Sequence, residues 1–369
     1  MEEHLKRVLC IIGTMNAGGA ETFLMKIYRS MDKTRYQMDF CIQTEDKCFY
    51  EDEIHALGGR IYRIPPKSKS VRAFKKGLFD TIKDHQYRYV LRITSNAMGF
   101  LDLAIAKKAG AEVRAVRSSN SSDGEGMKKK LAHCVGKLLY TKYVNVKIAP
   151  SDLAAKYTFG EKAYHDGEVS VLHNAVDMNI YAYSEEARKE IRDELGLDQE
   201  TILVGHVGRF MKQKNHAFLL DVFKQIKEQN QKAVLLLVGA GGLEQEIRLK
   251  AQTLGIADSV LFAGIRKDIP RVLSAMDVFV FPSFYEGMPN TVIEAQATGL
   301  PCVISDTITK EADITGLVEY LPLSLSPEEW AKEALSRVNK QRVNTKAMFI
   351  QQGYDIESVA DQFISLVFG

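Results

Sequence analysis

The sequence predicts an α/β protein with two domains, each built on a mainly parallel sheet. Short apolar runs of strand length alternate with helical patterns along the chain. This alternation is typical of parallel sheets that helices cover on both faces. A chain of 369 residues exceeds one ordinary hydrophobic core, so we expect two domains. Each half also opens with a strand and a glycine-containing loop, which indicates a repeated architecture.

The first half contains predicted strands separated by helical patterns such as Ala97–Lys108. The predicted strands are Arg7–Ile12, Met38–Ile42, Arg60–Ile64, Tyr89–Ile93, Val113–Val116, Val144–Ala149 and Val169–Leu172. The loop after the first strand ends with Gly18 and Gly19, just before a helix. Its glycine spacing differs from G-x-G-x-x-G, so it does not predict a nicotinamide cofactor.

The second half opens with a strand from Ile202 that leads directly into Arg209. Lys214 follows five residues later, ahead of a predicted helix at Ala217–Glu228. Both basic residues are therefore expected near the carboxyl edge of the sheet, where open parallel sheets bind ligands. Taken alone, two basic residues in a loop are more often solvated surface than a site. A further strand, Val234–Val238, precedes another glycine-rich loop.

Composition excludes several classes of protein. The chain is 46% apolar and 26% charged and has no apolar run long enough to span a membrane. Its N-terminus lacks the pattern of a signal peptide, so we expect a cytoplasmic protein. The five cysteines form no Cys-x-x-Cys pair. Reduced, mostly buried thiols are therefore expected in place of a disulfide framework or a metal site.

Positive charge is concentrated in the first half of the chain. Residues 1–150 hold 27 Lys and Arg against 16 Asp and Glu, a balance of +11, whereas the remainder has a balance of −9. Two basic stretches stand out, 67–76 and 127–142. The second reads as an amphipathic basic helix, which is either a solvated face or a contact with anionic lipid or a lipid diphosphate. No aromatic-interleaved groove pattern is present, so nucleic acid is not an expected partner.

The stretch from Phe279 to Asp306 carries the strongest chemical signal. A strand ends at Phe281, a turn rich in glycine, proline and asparagine follows, and a helix then runs to about Gly299. A helix start of this kind offers backbone N–H groups and partial positive charge to a phosphate. Glu286 and Glu294 bracket that start, although a glutamate in the first turn can also serve only to stabilise the helix dipole.

This stretch, with its Glu-x7-Glu spacing, resembles the nucleotide-sugar site of family 4 retaining glycosyltransferases. These enzymes have two Rossmann-like domains that face each other across a cleft, the GT-B architecture. The resemblance extends over essentially the whole chain and is greatest with EpsF-like enzymes of exopolysaccharide and capsule assembly. It implies transfer of a sugar from a nucleotide sugar, with a UDP-sugar as the expected donor. The acceptor would be a glycan or a lipid-diphosphate-linked glycan, at the inner face of the membrane.

The resemblance also implies roles for individual residues. Arg209 and Lys214 would neutralise the diphosphate of the donor, and Glu286 would face the donor sugar or hold the leaving group. These three form the expected catalytic set. Glu294 would accept hydrogen bonds from the ribose. The remaining residues expected at the donor site are Gly18, Gly19, Gly241, Ile265, Arg266, Met288, Asn290 and Thr291. No Asp-x-Asp motif follows a strand, so neither a metal nor another cofactor is expected.

Domain boundaries follow from the same resemblance. Residues 1–174 would bind the acceptor, residues 175–352 would bind the donor, and residues 353–369 would form a helix that crosses back onto the first domain. The crossover includes His173 and Asn174, and His173 stands where relatives commonly have proline.

Some positions depart from the family pattern. Relatives carry His-x-His after the fourth strand, where this chain has Arg92-Ile93-Thr94, and a histidine-rich string after the fifth. The polar residues left as candidate contacts to the donor sugar or acceptor are Arg117, Ser119, Asn120, His173 and Asn174. Two alternatives therefore stay open. One is a non-catalytic homologue acting as partner subunit of an active transferase, and the other is a different enzyme of the same fold, such as a sugar phosphorylase or an epimerase.

Overall fold

The computed structural model describes residues 5–119, 127–338 and 341–369, and the side chains of residues 127–129 lie outside that set. The chain divides into two compact units. The first unit comprises Met1–Ala175 with Gly353–Gly369, and the second comprises Val176–Gln352. Each unit is an α/β domain with its own parallel sheet.

Within the described residues, the first unit contains a seven-stranded sheet of order β3-β2-β1-β4-β5-β6-β7, with every neighbouring pair parallel. Its strands are β1 (Lys6–Ile11), β2 (Tyr36–Ile42), β3 (Ile61–Arg63), β4 (Tyr89–Thr94), β5 (Val113–Ser118), β6 (Val146–Ala149) and β7 (Val169–Val171). The helices between them are α1 (Gly19–Ser30), α2 (Glu51–Ala56), α3 (Val71–Asp84), α4 (Phe100–Lys108), α5 (Met127–Tyr140), α6 (Asp152–Phe159) and α7 (Glu161–His165).

The second unit has a six-stranded parallel sheet in its described residues, of order β10-β9-β8-β11-β12-β13. Its strands are β8 (Leu203–Val207), β9 (Val234–Val238), β10 (Val260–Gly264), β11 (Val278–Phe281), β12 (Cys302–Ser305) and β13 (Val318–Leu321). Its helices are α8 (Glu185–Glu194), α9 (His216–Gln229), α10 (Glu244–Thr253), α11 (Ile269–Ala275), α12 (Asn290–Ala297), α13 (Pro327–Arg337) and α14 (Lys346–Gln351). The chain ends with α15 (Ile356–Phe368).

Both faces of the first sheet are covered, which explains why the central strand β1 is apolar without interruption from Val8 to Ile11. On β1, Val8 and Cys10 belong to the core on one face, and Leu9 and Ile11 belong to the core on the other. The last helix, α15, packs in the first of these cores through residues such as Phe363. Burial on both faces of the central strand fixes the register of the sheet.

The predicted fold class is confirmed, and each predicted strand is present with ends that differ by at most two residues. One predicted helix is divided: a 3-10 turn at Ala97–Gly99 precedes α4. The Asn96 side chain accepts from Met98 N at 3.0 Å and starts this turn. Four of the five cysteines are buried, and all five are free thiols.

Candidate active site

Two loops meet at the carboxyl edge of the second sheet, because β8 and β11 are neighbours in it. The loop after β8 carries Lys214, and the loop after β11 carries Glu286. Two hydrogen bonds join the loops: Phe284 N donates to the Gln213 carbonyl at 2.9 Å, and Gln213 Nε2 donates to the Tyr285 carbonyl at 2.8 Å. Two stretches that lie 72 residues apart in the sequence therefore form one site.

Lys214 and Glu286 form an ion pair at this edge, with Nζ 2.7 Å from Oε1. Their side chains are only 15% and 9% exposed. The Lys214 ammonium also lies 4.5 Å from the centre of the Phe281 ring. Asn215, with a left-handed φ of 54°, turns the chain from this loop into α9. Lys214 thus already shares its positive charge with the Glu286 carboxylate.

Arg209 lies in the same loop and is exposed. The backbone on either side of it is held by the neighbouring loop, since Gly208 N donates to the Val238 carbonyl at 2.9 Å and Phe210 N donates to that of Ala240 at 3.2 Å. Within 5–119, 127–338 and 341–369, no carboxylate pairs with the Arg209 guanidinium. An arginine held this way can offer two parallel N–H donors to an anion.

The glycine-rich loop after β9 approaches the Arg209 loop too closely for side chains. A Cβ on Gly239, where φ is +139°, would lie 2.2 Å from the Gly208 carbonyl oxygen. A Cβ on Gly241 would lie 2.5 Å from the Phe210 carbonyl oxygen. Gly241, a predicted donor-site residue, therefore contributes by shaping the loop that supports Arg209.

The helix α12 begins at Asn290, directly after the loop that carries the acidic residue of the pair, and has no side-chain cap. The backbone N–H groups of Val292 and Ile293 donate to the Pro289 carbonyl at 3.0 and 3.2 Å. These bonds close the first turn, and it is the N–H groups ahead of them, which have no acceptor inside a helix, that favour an anion at a helix start. Glu294 lies one turn further on and is 9% exposed. The two other predicted residues of this start are partly buried: Met288 and Thr291.

Ile265 and Arg266, which follow β10, differ in what they offer a ligand. The Ile265 side chain is 73% exposed. The Arg266 guanidinium contacts Asp268 at 2.7 Å and also pairs with Glu194, and these hydrogen bonds raise the Arg266 pKa. Because the Arg266 guanidinium already pairs with two carboxylates, a ligand at this segment would contact its backbone.

Two buried histidines near Lys214, His206 and His216, were not predicted from the sequence as part of the site. His206 is fully buried on β8, and its Nδ1 donates to the Val280 carbonyl at 2.9 Å. The His216 ring lies 4.6 Å from that of His206 and stacks on Phe210 at 4.4 Å. Burial lowers the pKa of both, that of His216 to about 4, so they form a neutral wall. Their spacing spans a strand, a loop and a helix start, and no sequence periodicity links such positions.

The first unit has a cavity of about 420 Å³ at the carboxyl edge of its own sheet. Lys67, Arg92, Thr94 and Ser119 are among the residues that line it. Thr94 and Ser119 stand at positions where the family resemblance implies histidine. The Thr94 hydroxyl donates to the Asn96 carbonyl at 2.8 Å, so this side chain is part of the turn before α4.

A buried carboxylate beside this cavity holds two cations. Asp102 is fully buried on α4, with Lys67 Nζ 2.6 Å from one carboxylate oxygen and Arg92 Nε 2.8 Å from the other. Arg92 also donates to the Ile11 carbonyl at 2.9 Å. Burial lowers the pKa of Lys67. The three side chains together carry one excess positive charge. The two ion pairs with Asp102 hold Lys67 and Arg92 at the wall of the cavity.

Gly18 and Gly19 begin α1 at the same edge. Gly18 is the extended N-cap residue and Gly19 is the first helical residue. The Glu21 carboxylate folds over this start, because a Cβ on Gly18 would lie 2.4 Å from Glu21 Oε2. Glu21 also lines the cavity. The helix start therefore already has an acidic group beside it, as helix dipoles favour.

Arg117 is only 2% exposed and is held by neutral groups. Its guanidinium donates to Asn174 Oδ1 at 2.6 Å and lies 3.5 Å from the centre of the Phe23 ring. Burial lowers the Arg117 pKa. This side chain is thus packed inside the first unit, where it positions the predicted residue Asn174.

His173 also packs within the first unit. Its ring stacks on Tyr354 at 4.2 Å, and Nδ1 donates to the Pro150 carbonyl at 3.2 Å. Burial lowers the His173 pKa, which favours the neutral imidazole. Asn120, another predicted contact, lies outside the described residues.

No group of three or more His, Cys, Asp or Glu side chains is arranged to hold a metal ion in the described part of the chain. None of the helices described is long and apolar enough to cross a bilayer.

Comparison with known proteins identifies the family. A family profile described as glycosyl transferases group 1 matches residues 187–355. The chain is 36% identical over 365 residues to EpsF of Bacillus subtilis (strain 168), a protein named as a glycosyltransferase, and the alignment covers 97% of this chain and 95% of EpsF. It is also 33% identical over 179 residues to an Escherichia coli UDP-Gal:alpha-D-GlcNAc-diphosphoundecaprenol alpha-1,3-galactosyltransferase, covering 48% of this chain and 46% of that protein.

A similar fold occurs in a solved structure. HepE of Anabaena, crystallised in complex with UDP and glucose, superposes with a TM-score of 0.76 at 19% identity and covers 98% of this chain and 99% of its own. This likeness matches the two parallel-sheet α/β domains of the GT-B architecture. Because similarity to EpsF extends over nearly the full length of both proteins, the chain belongs to the group 1 family of glycosyltransferases.

Proposed function

We propose that the protein is a retaining, metal-independent glycosyltransferase that moves a hexosyl group from a UDP-sugar to a glycan or lipid-linked glycan acceptor. The proposed process is the biosynthesis of an extracellular or capsular polysaccharide. The observation that carries this proposal is the Lys214–Glu286 pair beside the exposed Arg209, next to the start of α12.

Donor binding would use the charges of this edge. Arg209 and Lys214 would bind the diphosphate, and the backbone start of α12 would receive its distal phosphate. Glu294 would accept hydrogen bonds from the ribose, and the backbone after β10 would receive the base. When the sugar leaves, negative charge develops on the diphosphate, and two fixed cations stabilise it at the step where it forms. The proposal requires no divalent ion for this role.

Glu286 would face the donor sugar while it orients Lys214 through the 2.7 Å contact. Retention often proceeds through a carboxylate nucleophile. Glu286 is already paired with an ammonium, which favours a positioning role for this carboxylate over nucleophilic attack. We therefore propose front-face attack by the acceptor, with the leaving phosphate as the base.

Relatives support the choice of donor and acceptor class. One has UDP-galactose and a diphosphoundecaprenol-linked sugar in its name, and the structural neighbour was crystallised with UDP and glucose. The cavity of the first unit, with the cations Lys67 and Arg92 in its wall, is the proposed acceptor site. Such an acceptor would meet the protein at an anionic membrane surface, on the inner face of the membrane.

A second candidate is a non-catalytic partner subunit. Arg117, at a position where relatives carry a histidine-rich string, is buried and held by Asn174 and Phe23, so it cannot contact a sugar from where it lies. This observation favours a first unit that has lost part of its chemistry. The intact ion pair and Arg209 in the second unit favour the active enzyme, which we therefore prefer.

The test is transfer from a panel of UDP-sugars to lipid-linked acceptors in the presence of EDTA, with the anomeric configuration of the product read by NMR. An α-product from an α-donor supports the proposal. Glu286→Gln should lower the turnover by about 10²-fold or more, as loss of a positioned catalytic group does. The control Glu228→Gln breaks only the exposed pair with Lys224 and should keep the activity. Absence of transfer with every donor, despite nucleotide binding, would favour the partner subunit.

A further inference from the structure

The second unit contains a cavity of about 400 Å³ whose described lining includes none of the candidate active-site residues. Arg342, Lys346 and Tyr183 line this space, the Arg342 cavity, and no acidic side chain is among its described lining residues. It is formed mainly by segments 178–183 and 342–346, which lie just inside the two ends of the unit. The proposed function makes no use of it.

Arg342 brings an incompletely paired charge to this cavity. Its guanidinium donates to the carbonyls of Thr298 at 3.2 Å and Leu273 at 3.4 Å, and also to that of Met276. Among the described residues, no carboxylate pairs with this guanidinium and its Nε–H has no acceptor. Burial and the charge of Arg188 lower the Arg342 pKa to about 10. A guanidinium with only neutral partners gains stability from an anion.

Two further guanidiniums lie at the same helix end. Arg188 donates to the carbonyls of Ala275 and Met276 at 3.1 and 3.4 Å, and Arg192 donates to that of Ala275 at 3.1 Å. One carboxylate serves both arginines, since Asp277 is 2.7 Å from Arg188 and 3.3 Å from Arg192. The Met276 carbonyl thus accepts from two guanidiniums.

Positive charge exceeds negative charge around the Arg342 cavity. The three arginines and Lys346 carry four positive charges, against the carboxylates of Asp277 and Glu185, the latter bonded to the Tyr183 hydroxyl. The carboxyl ends of α11 and α12 add about half a negative charge each. About one positive charge is therefore left without a partner among these groups.

We propose that the Arg342 cavity binds a small molecule that carries a phosphate group. Arg342 offers its Nε–H and Lys346 its ammonium, and both side-chain types commonly bind phosphate. Lys346 Nζ donates to Asn179 Oδ1 at 3.1 Å and has further N–H donors to offer. The cavity is larger than a phosphate ion, so Tyr183 and Val343 would contact the rest of the ligand.

The Arg342 cavity lies at the opposite end of α12 from the candidate donor site. Ala297, the last residue of α12, lines the cavity, and its carbonyl accepts from the Thr345 hydroxyl at 3.0 Å. The helix has eight residues, about 12 Å, and its other end is the predicted phosphate-binding start. An anion in the cavity would repel a donor diphosphate over this distance. We expect UDP to bind about two- to tenfold more weakly when the cavity is occupied. This coupling rests on the proposed function, whereas phosphate binding does not.

The test is isothermal titration calorimetry of the full chain with inorganic phosphate, in saturating UDP so that the donor site is filled. We expect phosphate to bind, and more tightly than acetate. Lys346→Met should weaken binding by about threefold or more, since it removes an exposed cation. Ala182→Glu, at an exposed position of the lining, should abolish binding because its carboxylate takes up the unpaired positive charge. The control Lys332→Met, at an exposed lysine of α13, should bind phosphate as the wild type does.

The coupling has a separate readout. As phosphate is added, the Kd of UDP should rise and then level off at a value about two- to tenfold higher. Competition for the donor site itself would raise the Kd without limit. Melting temperatures of Lys346→Met and Ala182→Glu no lower than that of the wild type would show that both variants are folded.

Three results would overturn the inference. These are no phosphate binding to the UDP-saturated protein, binding that Lys346→Met and Ala182→Glu leave unchanged, and acetate binding as tight as that of phosphate. A UDP Kd that phosphate does not change, or raises without limit, would refute the coupling. If UDP did not bind while Ala182→Glu still abolished phosphate binding, the proposed function would fail and the phosphate site would stand. Sugar transfer by a protein that binds no phosphate would show the reverse.

Discussion

Glu286→Gln is expected to strengthen the binding of UDP even though it lowers sugar transfer. In the free protein, Glu286 Oε1 is 2.7 Å from Lys214 Nζ, so the carboxylate shares the only charge that this lysine can offer. An incoming diphosphate competes for that charge and is repelled by the carboxylate. Two unit charges about 4 Å apart interact by about 1 kcal/mol in water and about 4 kcal/mol near a protein surface. We expect a value between these two limits, about 1–2 kcal/mol, which corresponds to roughly tenfold tighter binding of UDP.

Lys214→Met should have the opposite effect. It removes a charge-assisted hydrogen bond to the diphosphate, worth about 1.5–3 kcal/mol, so UDP should bind about 10- to 100-fold more weakly. Isothermal titration calorimetry with UDP in EDTA measures both variants, and Glu228→Gln should leave the affinity unchanged. If Glu286→Gln weakened UDP binding as much as Lys214→Met does, the carboxylate would contact the nucleotide directly and the shared-cation argument would be wrong.

Three further predictions concern stability and loop shape. Asp102→Asn leaves Lys67 and Arg92 without a counter-charge and should destabilise the first unit by about 3–5 kcal/mol in denaturant unfolding. The control Asp80→Asn, at an exposed ion pair, should cost about 1 kcal/mol or less. Equal losses of stability in the two variants would contradict the buried cluster. Because the unfolded chain protonates His216 below about pH 6.5 and the folded unit does so only at about 4, the second unit should lose about 3 kcal/mol as pH falls through that window. His216→Phe should reduce this loss, and an identical pH dependence in both proteins would refute the assignment. Gly241→Ala should destabilise the second unit by about 1–3 kcal/mol and weaken UDP binding. Gly242→Ala, whose Cβ meets nothing within 4 Å, should behave as the wild type. A larger loss of stability in Gly242→Ala than in Gly241→Ala would contradict the loop packing.

Much of the fold could be predicted from sequence because strands buried on both faces are continuous apolar runs. Val234–Val238 has the same bounds in the structure as in the sequence analysis, and the strand predicted to end at Phe281 does end there. The division of the predicted helix at Ala97–Lys108 was missed. It depends on Gly99, where a Cβ would lie 2.3 Å from Thr94 Oγ1, and such close packing leaves no periodic signal.

The candidate site was predictable where one loop holds its residues. The order of β8 beside β11 brings Lys214 to Glu286, and only the fold determines that order. The burial of Arg117 could not be foreseen, because its partner Asn174 is 57 residues away. The exposed leucines of α5 share a helical period with ordinary core positions, so sequence alone could not show which face lies outward.

The central claim is that the second unit holds a nucleotide-diphosphate site that works without a metal, and thermal unfolding with a panel of nucleotide diphosphates in EDTA tests it most directly. UDP at about 100 times its Kd should stabilise the protein by about 2.7 kcal/mol, which raises the melting temperature by about 5–10 °C. Glu294→Ala should abolish that shift. A melting temperature that no nucleotide diphosphate raises, or a shift that Glu294→Ala leaves intact, would contradict the claim.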